Sequence, residues 1–422
     1  MRTASDHSLD ASLGPAIGAE WWRLDGHDPT TSLLRLALTG MLAITAACGD
    51  ASGGGSASLS LPTIAVDTMP ALLLADDGTP EKLFSRVTAR RLASGEIIVA
   101  DQGTVSIRVF GRDGRLLRTL ARQGPGPGEL PAGFVLTMCQ DTLVAIGQPP
   151  FAPSGVHIFV AGAGHVRSFR PRVEGEGLIT AFDCLDGGRL LVRRGGNFRP
   201  LARPPDVNAL TPDTVTYGIL STDPAKVAWL PPAITQWYVG YPWPNGPMPS
   251  AMAPHPFVPA TLVVASGDRV WFVDTGTGTL QAFDTSGTVV VTQQLTVQRQ
   301  PFDSDALERR LARALREAQR AVDTARQTAI HASRFLPATM PIASAAYAAE
   351  GGGLWLRVFN LDDEAQQRFI VIGPDGVAIG TTVLPARFDV HQIGRDFVLG
   401  VRRDESGVES VVEFTLAPPA GR

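Results

Sequence analysis

Histidine has the widest chemistry of any residue type in this chain, because a neutral imidazole binds metals and its pKa suits acid–base catalysis. No two histidines form an HxH or HExxH motif, and no GxSxG nucleophile elbow occurs. A catalytic or metal site would therefore have to be assembled from distant parts of the chain, and the sequence predicts no catalytic residue, metal or cofactor. The histidines are His7, His27, His157, His165, His255, His331 and His391.

Two carboxylates, Asp101 and Asp274, occur at equivalent places directly after apolar strands. They could belong to a ring of channel carboxylates that binds a divalent metal in a lactonase- or lyase-like enzyme. The alternative is that each aspartate caps the backbone of the turn that follows its strand. We favour the capping interpretation, because the spacing does not match a DxDxDG calcium loop.

Cys48 is the candidate site of covalent modification. The apolar run 33–47 is too short for a comfortable membrane span and ends in small residues, as an export signal does. A Gly/Ser-rich stretch, 52–58, follows the cysteine. This arrangement resembles a bacterial lipoprotein signal, although Thr45 stands where that pattern usually has leucine. The resemblance implies lipid attachment at Cys48 and an exported chain; Gly49 after the cysteine favours the outer membrane if the cell has two membranes.

The other cysteines, Cys139 and Cys184, each lie just before an apolar strand, in equivalent places of successive repeats. An even number of cysteines in an exported protein permits a disulfide. Spacing alone does not show whether the two Cβ atoms come within reach of each other. A disulfide and a pair of buried thiols both remain open.

Two segments differ from the rest of the chain. Residues 226–260 are rich in proline and aromatic residues, and proline excludes them from a central strand, so we expect a loop or an arm across one face. Its rings could stack on a sugar or receive a peptide, or they could form a small satellite core. Residues 303–334 show helical spacing and predict one inserted helix. The candidate ligand face comprises Trp237, Tyr238, Tyr241, Trp243 and Arg357.

Short strands must position these side chains, because a strand–turn pattern repeats along the chain. In the clearest unit, residues 92–124, the strands EIIVAD, SIRVF and RLLRTL are separated by turns that include Ser94-Gly95 and Asp113-Gly114. We count six units, although five or seven also fit the pattern. The last unit lacks an outer strand, and we expect residues 61–67 to supply it and close a ring. The other units are 131–172, 178–230, 265–295, a copy starting at residue 350, and 394–416.

The stretch GEIIVADQGTVSIRVFGRDGRLLRTLARQGPGPGEL resembles the NHL-type six-bladed β-propellers of exported bacterial proteins. The resemblance is specific for the fold and weak for function, because this architecture hosts lyases, lactonases, sensors and scaffolds. The predicted organisation begins with an N-terminal extension and lipoprotein-type signal peptide at 1–47, followed by a Gly/Ser tether at 48–60. Residues 61–418 are predicted to form an all-β six-bladed propeller that is closed by an N-terminal strand and carries one inserted α-helix at 303–334. A tail at 419–422 follows.

Composition limits the classes of function. The net charge of −4 is unlike the basic footprint of a nucleic-acid-binding protein, and no later segment has the apolar length of a membrane-spanning helix. We therefore expect a lipid-anchored cell-envelope module that binds an envelope protein, peptide or glycan. We favour a binding or scaffold role over an enzymatic one. We expect contact with the membrane only through the lipid. The alternative is a metal-dependent lactonase- or lyase-like propeller enzyme.

Overall fold

The protein is nearly all-β, with two α-helices among the residues described. The computed structural model describes residues 61–417 apart from the short gaps given at the end of this paragraph. The predicted signal segment 1–47, Cys48, the tether 48–60 and the tail 419–422 lie outside the described residues. The gaps are 127, 140–141, 148–154, 172–178, 196–205, 222–225, 245, 247–248, 298, 319, 362–365 and 405.

The described strands form six antiparallel sheets, which follow one another along the chain. The first described strand, β1 (Val66–Leu74), belongs to the sixth sheet. The first sheet comprises β2 (Val87–Arg91), β3 (Ile97–Asp101), β4 (Ser106–Phe110) and β5 (Leu116–Ala121). The second comprises β6 (Phe134–Cys139), β7 (Thr142–Gly147), β8 (Val156–Val160) and β9 (Gly164–Phe169). The third comprises β10 (Thr180–Leu185), β11 (Arg189–Gly195), β12 (Leu210–Leu220), β13 (Val227–Trp229), β14 (Ala233–Pro242) and β15 (Ser250–Pro254).

The second half of the chain continues the pattern. The fourth sheet comprises β16 (Thr261–Ser266), β17 (Arg269–Asp274), β18 (Thr279–Phe283) and β19 (Val289–Gln294). The fifth comprises β20 (Ala343–Ala348), β21 (Leu354–Val358), β22 (Gln367–Ile372) and β23 (Ala378–Leu384). The sixth comprises β24 (Phe388–Ile393), β25 (Phe397–Arg403) and β26 (Glu409–Leu416), with β1 as its outer strand.

The predicted hairpin turns are confirmed, because Gly95 and Gly114 adopt φ values of 87° and 77°, which favour glycine. In four of the six units the predicted set of strands was incomplete, because the innermost strands β2, β16, β20 and β24 begin before the unit as predicted. These four repeats therefore begin one strand earlier than the sequence pattern indicated.

The sheets form a ring around a central channel. The innermost strands β2, β6, β10, β16, β20 and β24 contact one another in that order, and β24 contacts β2. Each neighbouring pair of sheets shares a buried apolar core, including the sixth and the first, where Phe110 packs with Leu399 and Val411. Burial of these side chains between the sheets is the main source of stability.

The N-terminal closing strand lies further along the chain than predicted. Strand β1 pairs with β26 from Val66 to Leu74, beyond the expected segment 61–67. The residues just before it extend the neighbouring sheet, because Ile64 N–H donates to Thr381 O at 2.8 Å and Thr381 N–H donates to Pro62 O at 2.9 Å. The N-terminal segment thus connects the fifth and sixth sheets.

The prediction of a loop over residues 226–260 is wrong. Strands β13, β14 and β15 lie within it and widen the third sheet to six strands. The prolines stand at strand ends rather than inside strands: Pro231 and Pro232 precede β14, Pro242 ends it, and Pro254 ends β15. Because a strand end tolerates a missing N–H donor, these prolines delimit the strands instead of excluding them.

The predicted single helix over residues 303–334 is two helices. Helix α1 (Ser304–Glu317) begins after Asp303, whose side chain caps it by accepting from Ala306 N–H at 2.8 Å. A break follows at Ala318 and Arg320, whose backbones are extended, and α2 (Ala321–Ile330) then packs on β14 and β15. Two short 3₁₀ turns, Asp186–Gly188 and Ser333–Phe335, complete the helical elements described.

Candidate ligand-binding channel

The central channel holds a cavity of about 1350 Å³. All six innermost strands contribute residues to its wall, and the segment between β15 and β16 adds a further part. The volume exceeds the roughly 300–1000 Å³ of a typical small-molecule pocket. The channel is therefore large enough for an extended ligand or several sugar or amino-acid units.

The wall of this cavity is basic although the whole chain is acidic. Five arginines line it against two aspartates, with no lysine or glutamate among the lining residues. A low-dielectric cleft lined by one sign of charge concentrates its field on ligands of the other sign. The charged lining residues are Arg90, Arg310, Arg357, Arg368, Arg387, Asp183 and Asp389.

Arg90 projects from the innermost strand β2. Burial lowers the pKa of this guanidinium, and the charge of Asp183 partly offsets that effect. Its Nη1 donates to Ala89 O at 3.0 Å, and no described carboxylate lies within ion-pair distance of it. Since an arginine carries five N–H donors, Arg90 retains donors that face the channel.

Asp183 lies on β10, the innermost strand of the third sheet. Burial raises the pKa of its carboxyl, while hydrogen bonds from Thr137 and Cys184 and the charge of Arg90 act in the opposite direction. Its Oδ1 accepts from the Thr137 hydroxyl and, at 2.9 Å, from Cys184 N–H. Both donors hold the same oxygen, so Oδ2 is left as an acceptor on the channel wall.

His391 lies on β24 and is held as a neutral donor. Its Nδ1 accepts from Ala89 N–H at 3.0 Å, which places the remaining ring proton on Nε2. Burial lowers the pKa of this imidazole to about 3, and the charges of Arg90 and Arg403 lower it further in the same direction. The ring therefore stays neutral near pH 7, with Nε2–H available to the channel.

A second polar group lies on the fifth and sixth sheets. Arg357 Nε donates to the Ser344 hydroxyl at 3.0 Å. Burial raises the pKa of the nearby Tyr347 hydroxyl. The charge of Asp389 also acts to raise this pKa, whereas the charge of Arg357 acts to lower it. Asp389 already accepts from Arg403 Nη1 at 2.7 Å. Of the two aspartates on the wall, only Asp183 is without an arginine partner at hydrogen-bond distance.

One end of the cavity adjoins an aromatic cluster under the helices. His255 is 1 % exposed, and neither of its ring nitrogens has a hydrogen-bond partner in the described part of the chain. Burial lowers its pKa to about 4, and the neighbouring His331 adds to that shift. Phe257 contacts both imidazole rings edge to face, with centroid distances of 5.6 Å and 5.3 Å, and Arg310 lies over the same ring at 5.6 Å.

The aromatic residues of the candidate ligand face do not reach the channel, whereas Arg357 does. Tyr241 is buried with Val239 and Ala329 in a small core between β14 and α2. Trp237 Nε1 donates to Pro259 O at 3.0 Å, and Tyr238 and Trp243 are half-buried. None of the four aromatic residues lines the cavity described. Their arrangement matches the satellite-core alternative at Tyr241.

The remaining sequence candidates have local positions. Asp101 Oδ1 accepts from Gly103 N–H at 2.9 Å, and Asp274 Oδ1 accepts from Gly276 N–H at 2.8 Å, so both cap turns outside the cavity wall. Cys139 and Cys184 are joined as a disulfide, with a Cα–Cα distance of 5.8 Å. Within the described ranges no three His, Cys, Asp or Glu side chains group as metal ligands.

Sequence reasoning missed Arg90 and Asp183, and it named His391 only as one of the histidines of the chain. Arg90 lies in the strand before the first Ser-Gly turn, outside the repeat as it was delimited. Asp183 precedes Cys184 directly, and His391 occupies the corresponding innermost strand of the sixth sheet. Polar residues in the strand before each turn were the available signal, because innermost strands must line the channel of a ring of sheets.

No protein-family model matches the sequence, and no curated protein matches it. Solved structures that resemble the fold include a Bacteroides fragilis protein described as exported, with 11 % identity, TM-score 0.44, 84 % of this chain and 96 % of the other covered. A member of the DUF4221 family from Bacteroides vulgatus has 10 % identity, TM-score 0.42, and 84 % and 95 % covered. A gluconolactonase from Xanthomonas campestris has 14 % identity, TM-score 0.38, and 85 % and 95 % covered. TM-scores this low carry no assignment of function.

No described helix has the length and apolarity needed to cross a membrane.

Proposed function

We propose that the six sheets are the blades of a six-bladed β-propeller, and that the protein is a lipid-anchored binding module of the bacterial cell envelope. Its channel binds an acidic ligand, which belongs to an envelope protein, peptide or glycan. The ring contacts of the innermost strands support the architecture, and the export signal around Cys48 supports the location.

The observation that carries the binding proposal is the arginine-rich channel wall, where Arg90 faces the cavity and has no described carboxylate within ion-pair distance. Removing a guanidinium from water is costly, and the charge of Asp183 offsets that cost only in part. A bound carboxylate supplies further compensating charge through charge-assisted hydrogen bonds. The Nε2–H of His391 adds a neutral donor beside it.

The same geometry argues for binding rather than acid–base catalysis. A general base works best with a pKa near the operating pH, whereas the pKa of His391 is lowered to about 3. A metal-dependent lactonase- or lyase-like site would need several free carboxylates. Of the two on the wall, Asp389 is already bound to Arg403. We therefore propose only the binding function.

The test is isothermal titration calorimetry of the full chain in a neutral detergent with two acidic probes, hexaglutamate and trigalacturonate. At least one probe should bind, with an affinity that decreases as salt is raised. Arg90→Gln should weaken that binding about tenfold or more, since a hydrogen bond to a charged group contributes roughly 1.5–3 kcal/mol.

Arg115→Gln is the matched control, because Arg115 is exposed on the hairpin turn before β5 and does not line the cavity. This variant should bind as the wild type does. Binding of neither probe, or equal loss in both variants, would contradict an acidic-ligand channel.

A further inference from the structure

The channel cluster of Arg90, Asp183 and His391 combines donors with one acceptor. Arg90 and the Nε2–H of His391 donate, whereas Asp183 Oδ2 accepts. In a site that selects anions by charge alone, a carboxylate beside the arginine would weaken binding, because it repels the anionic ligand. The cluster instead matches a ligand that presents a carboxylate and, next to it, a hydroxyl that donates a hydrogen bond.

The rest of the wall has the same mixed character. Glutamine amides both donate and accept, as sugar hydroxyls do. Gln236, Gln367 and Gln392 already donate through Nε2 to backbone carbonyl oxygens, so Gln300 and Gln366 are the amides that this comparison rests on. The rings of Phe182 and Tyr347 add aromatic surface beside these polar groups. Amphipathic surfaces of this kind suit sugar rings, whose faces are apolar and whose edges carry hydroxyls. The lining glutamines are Gln236, Gln300, Gln366, Gln367 and Gln392.

Resting on the proposed function, we propose that the ligand is an acidic glycan built from uronic acids. Its carboxylate binds Arg90 and the Nε2–H of His391, and an adjacent hydroxyl donates to Asp183 Oδ2. The cavity of about 1350 Å³ accommodates more than one sugar unit. An acidic peptide side chain supplies the carboxylate without an adjacent hydroxyl, and therefore leaves Asp183 as a source of repulsion.

Asp183→Asn distinguishes the two kinds of ligand. The Cys184 N–H needs an acceptor at the inner position, so the amide oxygen of the variant stays inward and its NH₂ group replaces Oδ2. The variant thus turns the channel acceptor into a donor and removes its negative charge. Asp268→Asn is the matched control, because Asp268 is exposed and does not line the cavity.

The experiment titrates the full chain with trigalacturonate and with hexaglutamate at pH 7.5. We expect the wild type to bind trigalacturonate, and Asp183→Asn to weaken that binding about tenfold. Any binding of hexaglutamate should be unchanged or tighter in the same variant, which also shows that the variant is folded. Asp268→Asn should change neither.

Tighter binding of both probes by Asp183→Asn would overturn the glycan assignment, since Asp183 would then only repel. Binding of hexaglutamate but not trigalacturonate by the wild type would overturn it in favour of a peptide. In both of these outcomes the acidic-ligand channel stands. If neither probe binds the wild type, the proposed function itself fails.

Discussion

The backbone N–H of Ala89 donates a hydrogen bond to Nδ1 of His391 at 3.0 Å, between residues 302 positions apart. This contact joins the innermost strands of the first and sixth sheets. It also fixes the imidazole tautomer, because an acceptor at Nδ1 leaves the proton on Nε2. One hydrogen bond therefore helps to close the ring and orients a donor toward the channel.

The first prediction concerns pH and the docking of the two helices. Burial lowers the pKa of His255 to about 4, with His331 the next cause, while Arg310 adds a further positive charge near His331. The native state thus disfavours protonation of His255. The contribution of neutral His255 to the free energy of unfolding is therefore fully present above about pH 6.5 and is lost as the pH falls toward 4. A shift from 6.5 to about 4 corresponds to roughly 3 kcal/mol.

Hydrogen–deuterium exchange of α1 and α2 at pH 7.5 and pH 4.5 measures this effect. Protection of both helices should decrease at the lower pH. His255→Phe should abolish most of the decrease, because phenylalanine fits the aromatic surroundings and cannot be protonated. An undiminished decrease in that variant would assign the pH dependence to other groups.

The second prediction concerns the junction of the last and first sheets. Glu413 is 2 % exposed and binds Arg112 at 2.9 Å and Arg91 at 3.3 Å. Removing one partner of a buried ion pair leaves the other charges uncompensated. Because Arg112 is partly exposed, Glu413→Gln should lower the free energy of unfolding by about 1–3 kcal/mol.

Glu350→Gln is the control for this experiment, since Glu350 binds Arg395 at 2.9 Å on the exposed surface. Surface pairs contribute about 0–1 kcal/mol. Urea denaturation should therefore separate the two variants clearly. Equal effects would mean that the junction adds no more stability than a surface pair.

The third prediction concerns Cys139 and Cys184, which join the innermost strands of the second and third sheets. Their separation of 45 residues encloses a long loop, and a disulfide across such a loop typically contributes about 2–4 kcal/mol. The double variant Cys139→Ala/Cys184→Ala should therefore have a lower Tm than the oxidised protein. Alkylation followed by mass spectrometry should find both residues protected until a reductant is added. Two alkylated thiols without reductant would show that the bond does not form.

The fourth prediction concerns membrane anchoring. If Cys48 receives a lipid, Cys48→Ala should move the exported protein from the membrane fraction to the soluble fraction, because the acyl chains supply the attachment. Cell fractionation and detergent phase partitioning measure this. Cys139→Ala/Cys184→Ala should remain with the membrane. Retention of Cys48→Ala at the membrane would point to another anchor.

The hairpin turns could be predicted from the sequence because their requirement is local. Gly95, Gly114 and Gly376 each follow a polar residue and adopt φ values from 77° to 87°, which few other residues accept. The boundaries of β14 could not be predicted in the same way. Proline marks both the end of a strand and a loop, and only the pairing of Tyr238 with Thr211 shows which applies.

The channel cluster depends on contacts between distant parts of the chain. Arg90 and Asp183 influence each other across about 90 positions, and His391 meets Ala89 only when the ring closes. Spacing along the sequence carries no information about such neighbours. Arg357 was a candidate ligand residue only through its position in the repeat that starts at residue 350, and the structure places it on the cavity wall.

The most direct measurement of the central claim is the ¹⁵N spectrum of the histidine side chains, with His391 assigned through His391→Gln. Between pH 5 and pH 8 the free protein should show His391 neutral and protonated at Nε2. Addition of whichever acidic probe binds should shift the Nε2 resonance of His391. A probe that binds while this resonance stays unchanged would place the ligand outside the channel and contradict the account.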